Sequence, residues 1–241
     1  MWLASGLAAF SAALAAATYY GPCALRIAAV RRVRRLCRRT RSLVLTYDDG
    51  PGDELTPALL ELLAAADARA TFFPTGRSAT SNSELLTRVA TAGHEVGCHS
   101  QGHRHAWRTT PLRVLRDIDA GYRTLAPWVS PAGLYRPPYG KTTLATWWAV
   151  RRRHAGLAWW TVDSGDTHAV LPAPQTIVEA VRRDGGGVVL MHDFDRGSET
   201  RVARHAYVLK TTERLLELAR AEGLHTPAFG ELLRCTPADC S

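Results

Sequence analysis

Two pairs of residues in the first half of the chain have the types and spacing of a metal-dependent hydrolytic site. Asp48 and Asp49 are adjacent and are followed by Gly50-Pro51, and His99 and His103 come about fifty residues later. One carboxylate and two imidazoles can bind a divalent metal and leave coordination positions free. The charge of the metal would lower the pKa of the second carboxylate, which suits a general base at neutral pH. The pattern therefore predicts a hydrolase.

Further polar clusters could complete such a site. Arg136 lies beside Pro137-Pro138, and a permanent cation in a rigid loop can hold a carboxylate in place. Backbone amides of the same loop could face a developing oxyanion. Asp163 and Asp166 follow an aromatic run, and His192 follows an apolar run. An acidic residue near a histidine orients the ring and raises its pKa, which suits a general acid.

Each cluster follows a predicted β-strand, and the body of the chain alternates strands with helices. Apolar, β-branched runs predict strands at 42–47, 70–74, 94–99, 133–136, 157–162 and 187–191, with a possible last strand near His225. Helices are predicted to begin near Thr56 (as an N-cap before Pro57), Asn82 or Ser83, Thr110, Thr143, Gln175, Arg204 and Phe229. This alternation is typical of an α/β fold with a parallel sheet. The carboxyl ends of such strands carry the active site, so we expect the clusters to converge there.

The positive charge of the chain is confined to one block. Eight arginines between residues 26 and 41 account for the whole net charge of +8, and residues 42–241 hold 22 basic and 22 acidic residues. A nucleic-acid-binding domain would carry its basic residues on the folded surface. We therefore predict no nucleic-acid partner and a single domain at 40–235, with a short tail at 236–241.

Residues 1–39 combine an apolar, alanine-rich stretch with this arginine block. The apolar stretch at 2–19 is about as long as a bilayer-spanning helix requires. It predicts a membrane anchor or leader, and hence a chain at the cell membrane, single-pass or peripheral, on either side. Two alternatives stay open, which are a helix packed on the domain and a cleaved signal peptide.

The five cysteines do not predict a disulfide framework. Cys235 and Cys240 are close enough to pair in an oxidising compartment, but the odd count and the isolated Cys98 favour mostly free thiols. The sequence contains no CxxC pair, which argues against a structural zinc site.

For the oligomeric state, we expect a monomer.

The segment Thr46-Tyr47-Asp48-Asp49-Gly50-Pro51 and the segment His99-Ser100-Gln101-Gly102-His103 resemble the first two motifs of the polysaccharide deacetylase family. This family is also known as the NodB-homology domain or carbohydrate esterase family four. The resemblance extends over about 45–200 in motif order and spacing. It implies an α/β fold, specifically a distorted parallel (β/α) barrel of about seven units. It also implies metal-dependent removal of N-acetyl groups from an amino-sugar polysaccharide or oligosaccharide, such as chitooligosaccharide or peptidoglycan.

The resemblance implies a role for each matching residue. The metal, most simply Zn²⁺ with Co²⁺, Ni²⁺ or Mn²⁺ as alternatives, would be bound by Asp49, His99 and His103. The catalytic residues would be Asp48 as general base, Arg136 holding Asp48, His192 as general acid and Asp166 orienting His192. The substrate would be bound by the Tyr139 amide, Leu190 in the acetyl pocket, Pro138 and Trp160.

Two positions depart from the family pattern. Cys98 precedes His99 where a small polar residue is common, and Asp166 is followed by Thr167 where a tryptophan is common. One aromatic wall of the sugar groove is therefore missing, and Trp107, Trp159 or Trp160 could replace it. Two other functions stay open. One is a deacetylase or deformylase of a lipid-linked amino sugar at the membrane, and the other is a carbohydrate-binding pseudoenzyme.

Overall fold

The computed structural model describes residues 2–129, 133–195 and 198–234. The strands are β1 (Leu43–Asp48), β2 (Ala70–Phe73), β3 (Glu95–Val96), β4 (Val162–Asp163) and β5 (Gly187–His192). The helices are α1 (Trp2–Arg39), α2 (Leu55–Ala65), α3 (Gly76–Ser81), α4 (Ser83–Thr91), α5 (Pro111–Thr124), α6 (Leu144–Arg152), α7 (Pro174–Asp184), α8 (Ser198–Glu222) and α9 (Phe229–Arg234), with a 3₁₀ turn at Pro138–Gly140.

The strands form one parallel sheet in the order β3-β2-β1-β5-β4. The central strand β1 is buried along its whole length, as expected for a strand covered on both faces. Its last residue, Asp48, is paired in register with Phe73 of β2 and with His192 of β5. The register therefore brings Asp48 and His192 to the same level at the carboxyl edge of the sheet.

Alternation along β1 separates two cores. Leu43, Leu45 and Tyr47 pack in the larger core, which also contains buried residues of the helices α2, α4, α5, α7 and α8. Val44 faces the other way, into a smaller core. Because side chains two positions apart share a face, Thr46 and Asp48 lie on the side of Val44, above the smaller core.

The smaller core is closed by residues from the first and the last helix of the described chain. Val33 and Cys37 of α1 and Phe229 and Leu232 of α9 pack against strand residues such as Val44. All of these side chains are at least 90 % buried. The second half of α1 therefore belongs to the packing of the domain, although the predicted boundary at 39/40 itself stays a prediction.

The α/β fold with a parallel sheet is confirmed, but within residues 2–129, 133–195 and 198–234 the sheet does not close into a continuous barrel of about seven units. The predicted strand at 133–136 is reduced to isolated bridges of Tyr135 with Cys98 and with Leu157. Of the strand predicted at 157–162, only Leu157, through its bridge to Tyr135, and Val162, the first residue of β4, form β-bridge pairs in the described structure. The strand predicted near His225 is a single bridge to Ser42. Short apolar runs do not reveal how many backbone pairs a strand will form.

Two predicted helix details were wrong. Thr56 is not the N-cap of α2, which begins at Leu55 after Glu54. The Thr56 hydroxyl is buried inside the first turn and donates to Asp193. The helix α3 was missed, because its six residues carry no apolar periodicity. The predictions for Cys235, Cys240 and the tail at 236–241 lie outside the described residues.

The helix α1 is 38 residues long and contains Pro22. In the described part of the chain, no helix combines the length and the apolar character that crossing a membrane requires.

Candidate active site

A cleft of about 570 Å³ opens at the carboxyl edge of the sheet, where the predicted clusters converge. It is lined by Asp48, Asp49, Thr75, His99, His103, Pro137, Tyr139, Gly140, Trp160, Asp163, Thr167, Leu190, His192 and Phe194. These residues come from all five strands or the segments next to them, and from the loop at 137–140. The edge therefore collects residues that lie far apart in the sequence.

Asp49, His99 and His103 form a compact group at one end of the cleft. One ligand atom from each side chain lies within 4.8 Å of the others. The Oδ1 atom of Asp49 is 3.5 Å from Nε2 of His99 and 3.3 Å from Nε2 of His103. Asp49 Oδ1 is buried and has no hydrogen-bond partner in the described residues. Three donor atoms that point at one spot without bonding each other fit a divalent cation.

The surroundings of His99 favour its neutral form with a free lone pair on Nε2. Its Nδ1–H donates to the backbone carbonyl of Arg136 at 2.7 Å, because a carbonyl oxygen can only accept. This hydrogen bond leaves the lone pair on Nε2, which faces Asp49, as is usual for a metal-binding histidine. Burial lowers the pKa of His99 to about 3, so the ring is neutral at physiological pH.

The backbone of this region is held in uncommon conformations. Asp49, Ser100, His103 and Tyr139 have φ values of 73°, 66°, 53° and 57°, in the left-handed region that favours glycine. Hydrogen bonds hold two of these turns, one to a neighbouring helix and one within the loop. The hydroxyl of Ser78 on α3 donates to the carbonyl of Asp49 at 2.9 Å, and the hydroxyl of Ser100 accepts from the amide of His103. Such conformations persist only where the surroundings enforce them.

Asp48 is held by a buried ion pair rather than by the histidines. Nη1 of Arg136 donates to Asp48 Oδ1 at 2.8 Å and to the Thr46 hydroxyl at 2.7 Å. Arg136 is fully buried, and its guanidinium lies 4.2 Å from the centre of the Phe73 ring. Burial raises the pKa of Asp48, and the charge of Arg136 opposes that rise. The second carboxylate oxygen, Oδ2, remains 3.7 Å from Nε2 of His99.

His192 faces the cleft and is fixed by Asp166. Its Nδ1–H donates to Asp166 Oδ1 at 2.9 Å, and its backbone amide donates to Asp166 Oδ2 at 2.8 Å. Burial lowers the pKa of His192, but the attraction of the Asp166 carboxylate outweighs burial and raises the pKa to about 9. The ring is therefore a cation at neutral pH, with a proton on Nε2 that it can give away.

The predicted substrate-binding residues divide into two groups. Tyr139, Leu190 and Trp160 line the cleft. Pro138 is buried and is not among the lining residues of the described chain, where the neighbouring Pro137 takes its place. The role of Pro138 in substrate binding therefore stays a prediction. Which of two adjacent prolines faces a cleft depends on the backbone turn.

Sequence reasoning missed Asp193, which supports the turn that carries Asp49. Its Oδ1 accepts from the amide of Gly50 at 3.1 Å, and its Oδ2 accepts from the Thr56 hydroxyl at 2.8 Å. Burial raises the pKa of Asp193 to about 7. There is no room for a larger residue at position 50, because a Cβ atom there would lie 2.2 Å from the Asp193 carboxylate. The only hint in the sequence was that Asp193 directly follows His192, a predicted catalytic residue.

We predict that loss of one member of the Asp49, His99 and His103 group weakens Zn²⁺ binding by on the order of 100-fold or more. Mutation of a residue that only hydrogen-bonds a metal ligand already lowers metal affinity by about 10- to 100-fold, and loss of the ligand itself should cost at least as much. Asp49→Ala should show this loss in a competition titration against a chromophoric chelator. Asp163→Asn is the matched control, since Asp163 lines the same cleft but does not belong to the group. Equal affinity of Asp49→Ala and the unsubstituted protein would contradict the assignment.

Comparison with known proteins places the chain in a family. A family model described as polysaccharide deacetylase matches residues 35–157. A peptidoglycan-N-acetylglucosamine deacetylase of Bacillus cereus is 29% identical over 194 residues, covering 80% of this chain and 88% of the relative. A chitooligosaccharide deacetylase of Bradyrhizobium sp. is 34% identical over 198 residues, covering 78% of this chain and 87% of the relative.

A solved structure agrees with these sequence relatives. It is a family 4 carbohydrate esterase from Streptomyces lividans in complex with acetate, with a TM-score of 0.67 and 28% sequence identity. The match covers 83% of this chain and 95% of the esterase. The chain therefore belongs to the polysaccharide deacetylase family, which is carbohydrate esterase family four, and is a hydrolase of carbon–nitrogen bonds other than peptide bonds.

Proposed function

We propose that this protein is a metal-dependent deacetylase that removes the N-acetyl group from an amino sugar in a polysaccharide or oligosaccharide and releases acetate. The observation that carries the proposal is one cleft that combines three kinds of group. These are the Asp49, His99 and His103 ligand group, the buried carboxylate of Asp48 and the cationic ring of His192. The names of the two relatives support chitooligosaccharide or peptidoglycan-like substrates.

The ligand group is the proposed binding site of one divalent cation, most simply Zn²⁺. When bound, the cation polarises the acetyl carbonyl and lowers the pKa of water, in favourable zinc sites from near 16 to about 7. Asp48 accepts the proton of the attacking water. The hydrogen bond from Arg136 occupies Oδ1 of Asp48 and leaves Oδ2 on the side of His99, facing the ligand group.

His192 supplies the proton that the leaving amine needs, because an amine cannot depart as the strongly basic anion. Asp166 holds the ring through Nδ1, which leaves Nε2 as the donating atom. After the transfer, the neutral ring keeps its orientation through the same hydrogen bond. The acid and the base thus come from neighbouring strands, since Asp48 and His192 are paired in register.

Two further contacts follow from the lining of the cleft. Leu190 lies two residues before His192 on the same face of β5 and forms an apolar surface for the acetyl methyl group. Tyr139 has φ of 57° and lies in the loop that carries Arg136, and its backbone amide is the proposed donor to the developing oxyanion.

We predict that the zinc-loaded protein releases acetate from chitooligosaccharides and that Asp48→Asn lowers kcat/KM by about 10²- to 10⁴-fold, the usual contribution of a general base. Acetate release, followed by a coupled enzymatic assay, is the measurement. Asp53→Asn is the matched control, because Asp53 is an exposed carboxylate outside the cleft. Full activity of Asp48→Asn would contradict the mechanism, and zinc-dependent sugar binding without any acetate would favour the pseudoenzyme.

We also propose that the arginine-rich part of α1 associates with the surface of the cell membrane. The side chains that support this are exposed in the described structure, namely Arg31, Arg32, Arg34, Arg35, Arg38 and Arg39. Arginines near an anionic membrane contribute about 1 kcal/mol each to binding. Peripheral attachment requires no spanning helix, and the surface potential that drives it is screened by salt.

We predict that the protein sediments with phosphatidylglycerol vesicles at low salt but not with phosphatidylcholine vesicles. The triple variant Arg31→Gln, Arg32→Gln, Arg35→Gln should bind the anionic vesicles at least about 10-fold more weakly, because it loses three positive charges. Acetate release from a soluble oligosaccharide is the control and should be unchanged. Equal sedimentation of the variant and the parent protein would show that these arginines do not hold the membrane.

A further inference from the structure

Three aromatic side chains form a row that leads from the cleft to the surface, and we refer to Tyr139, His105 and Trp107 as the aromatic row. The Tyr139 ring lines the cleft, with its centre 4.5 Å from the ring centre of His103. His105 follows at 4.9 Å from Tyr139, and Trp107 at 6.5 Å from His105. The row therefore starts at a predicted metal ligand and continues outward without a gap.

The aromatic row is exposed but held in place. Tyr139 is 56% exposed and Trp107 is 36% exposed. The indole N–H of Trp107 donates to the carbonyl of Thr142 at 2.9 Å, and the Lys141 ammonium lies 4.5 Å from the ring centre. A rigid aromatic ring can bind a ligand at little cost in conformational entropy. Scattered exposed aromatics need no explanation, but a fixed row that continues a cleft indicates a binding surface.

We propose that the aromatic row is a subsite for the sugar ring next to the one that loses its acetyl group. This rests on the proposed deacetylase function and adds the position of the neighbouring sugar. The C–H groups on one face of a pyranose ring form an apolar surface that carries partial positive charge, which complements the face of an aromatic ring. Lys141 beside Trp107 supplies a donor for sugar hydroxyls.

The test is the dependence of KM on substrate length, from the monosaccharide N-acetylglucosamine to chitohexaose, with the zinc-loaded protein. Trp107→Ala should raise KM for chitobiose and the longer oligomers by about 10-fold, the usual effect of removing an aromatic anchor that a ligand covers. The rate for N-acetylglucosamine, which has no neighbouring sugar, should stay unchanged. Trp148→Ala is the matched control, since Trp148 is 54% exposed and carries Arg152 at 4.6 Å but does not line the cleft.

The outcomes separate the subsite from the activity. No acetate from any oligomer with the parent protein would contradict the deacetylase function itself. Active parent protein with the same KM values in Trp107→Ala and Trp148→Ala would contradict the subsite alone. Equal losses of Trp107→Ala on N-acetylglucosamine and on the oligomers would also contradict it, because such a loss reflects damage to the catalytic cleft.

A separate observation connects α1 with the cleft through Arg26. Its Nη1 donates to the carbonyl of Gly140 at 3.2 Å, and its Cζ lies 5.1 Å from the ring centres of both Trp159 and Trp160. Gly140 and Trp160 both line the cleft. A side chain from the N-terminal helix is therefore in contact with two parts of the cleft wall.

The packing around this contact is tight. A Cβ atom at Gly140 would lie 2.7 Å from ring carbon Cη2 of Trp160 and 3.3 Å from Cζ of Arg26. The guanidinium of Arg136 also contacts the Trp160 ring, at 5.8 Å from its centre. The Trp160 ring thus contacts two guanidinium groups, one from α1 and one that holds Asp48. We infer that Arg26 is a positioning residue, which fixes Trp160 and the carbonyl of Gly140 beside the catalytic groups.

Arg26→Ala should lower kcat/KM for an oligosaccharide by about 10-fold, mainly through KM, because Trp160 and the Gly140 carbonyl lose the side chain that holds them in the cleft wall and a small displacement of a cleft group is costly. Arg26→Lys should restore part of the loss, since lysine keeps the charge over the indoles. Arg34→Ala is the matched control on the same helix. Arg34 also donates to a backbone carbonyl, that of Thr161 at 3.4 Å, and pairs with Asp184 at 3.3 Å.

Melting temperature and Zn²⁺ affinity are measured on all three variants. The inference predicts that Arg26→Ala keeps the Zn²⁺ affinity of the parent and melts within a few degrees of Arg34→Ala, while its KM alone rises. Equal KM values for Arg26→Ala and Arg34→Ala would overturn it. A drop in melting temperature with unchanged KM would also overturn it, because Arg26 would then serve stability only.

Discussion

The buried ion pair between Asp48 and Arg136 is the constraint on which the rest of the site depends. Moving a carboxylate and a guanidinium out of water costs several kcal/mol for each ion, and the pair recovers this cost only with good geometry. Here the geometry is a 2.8 Å hydrogen bond, a second hydrogen bond to Thr46 and the face of Phe73. In the described residues, Nε and Nη2 of Arg136 have no hydrogen-bond partner. The guanidinium packs instead against the face of the Phe73 ring.

The ion pair also fixes the loop that carries Arg136. The carbonyl of Arg136 accepts from Nδ1 of His99, and so the residue that holds the proposed base also sets the tautomer of a proposed metal ligand. Removing either charge would leave the other buried and unpaired, at a cost of about 3–5 kcal/mol. A site built this way is rigid, which suits a reaction whose base, acid and cation site must keep fixed distances.

One face of the central strands changes from apolar to polar toward the carboxyl edge of the sheet. On β1, Val44 packs in the smaller core, Thr46 accepts from Arg136 and Asp48 reaches the cleft. On β5, Leu190 and His192 line the same cleft. The smaller core beneath them is closed by α1 and α9, so the helix that carries the arginine block supports the floor of the site. This packing gives α1 a structural part in the domain, and Arg26 extends that part to the cleft wall.

The sequence by itself determined the class of this protein, which is a hydrolase. The residue types and spacing of Asp48, Asp49, His99 and His103 predicted a metal-dependent hydrolase, and the strand pattern predicted that the clusters meet at one edge. These signals are local, because side-chain alternation and strand-end positions are properties of short segments. Only the tertiary structure decided how many strands are continuous, which of Pro137 and Pro138 lines the cleft, and that Arg26 contacts Gly140. That last contact joins residues 114 positions apart, and no periodicity in the sequence encodes such a distance.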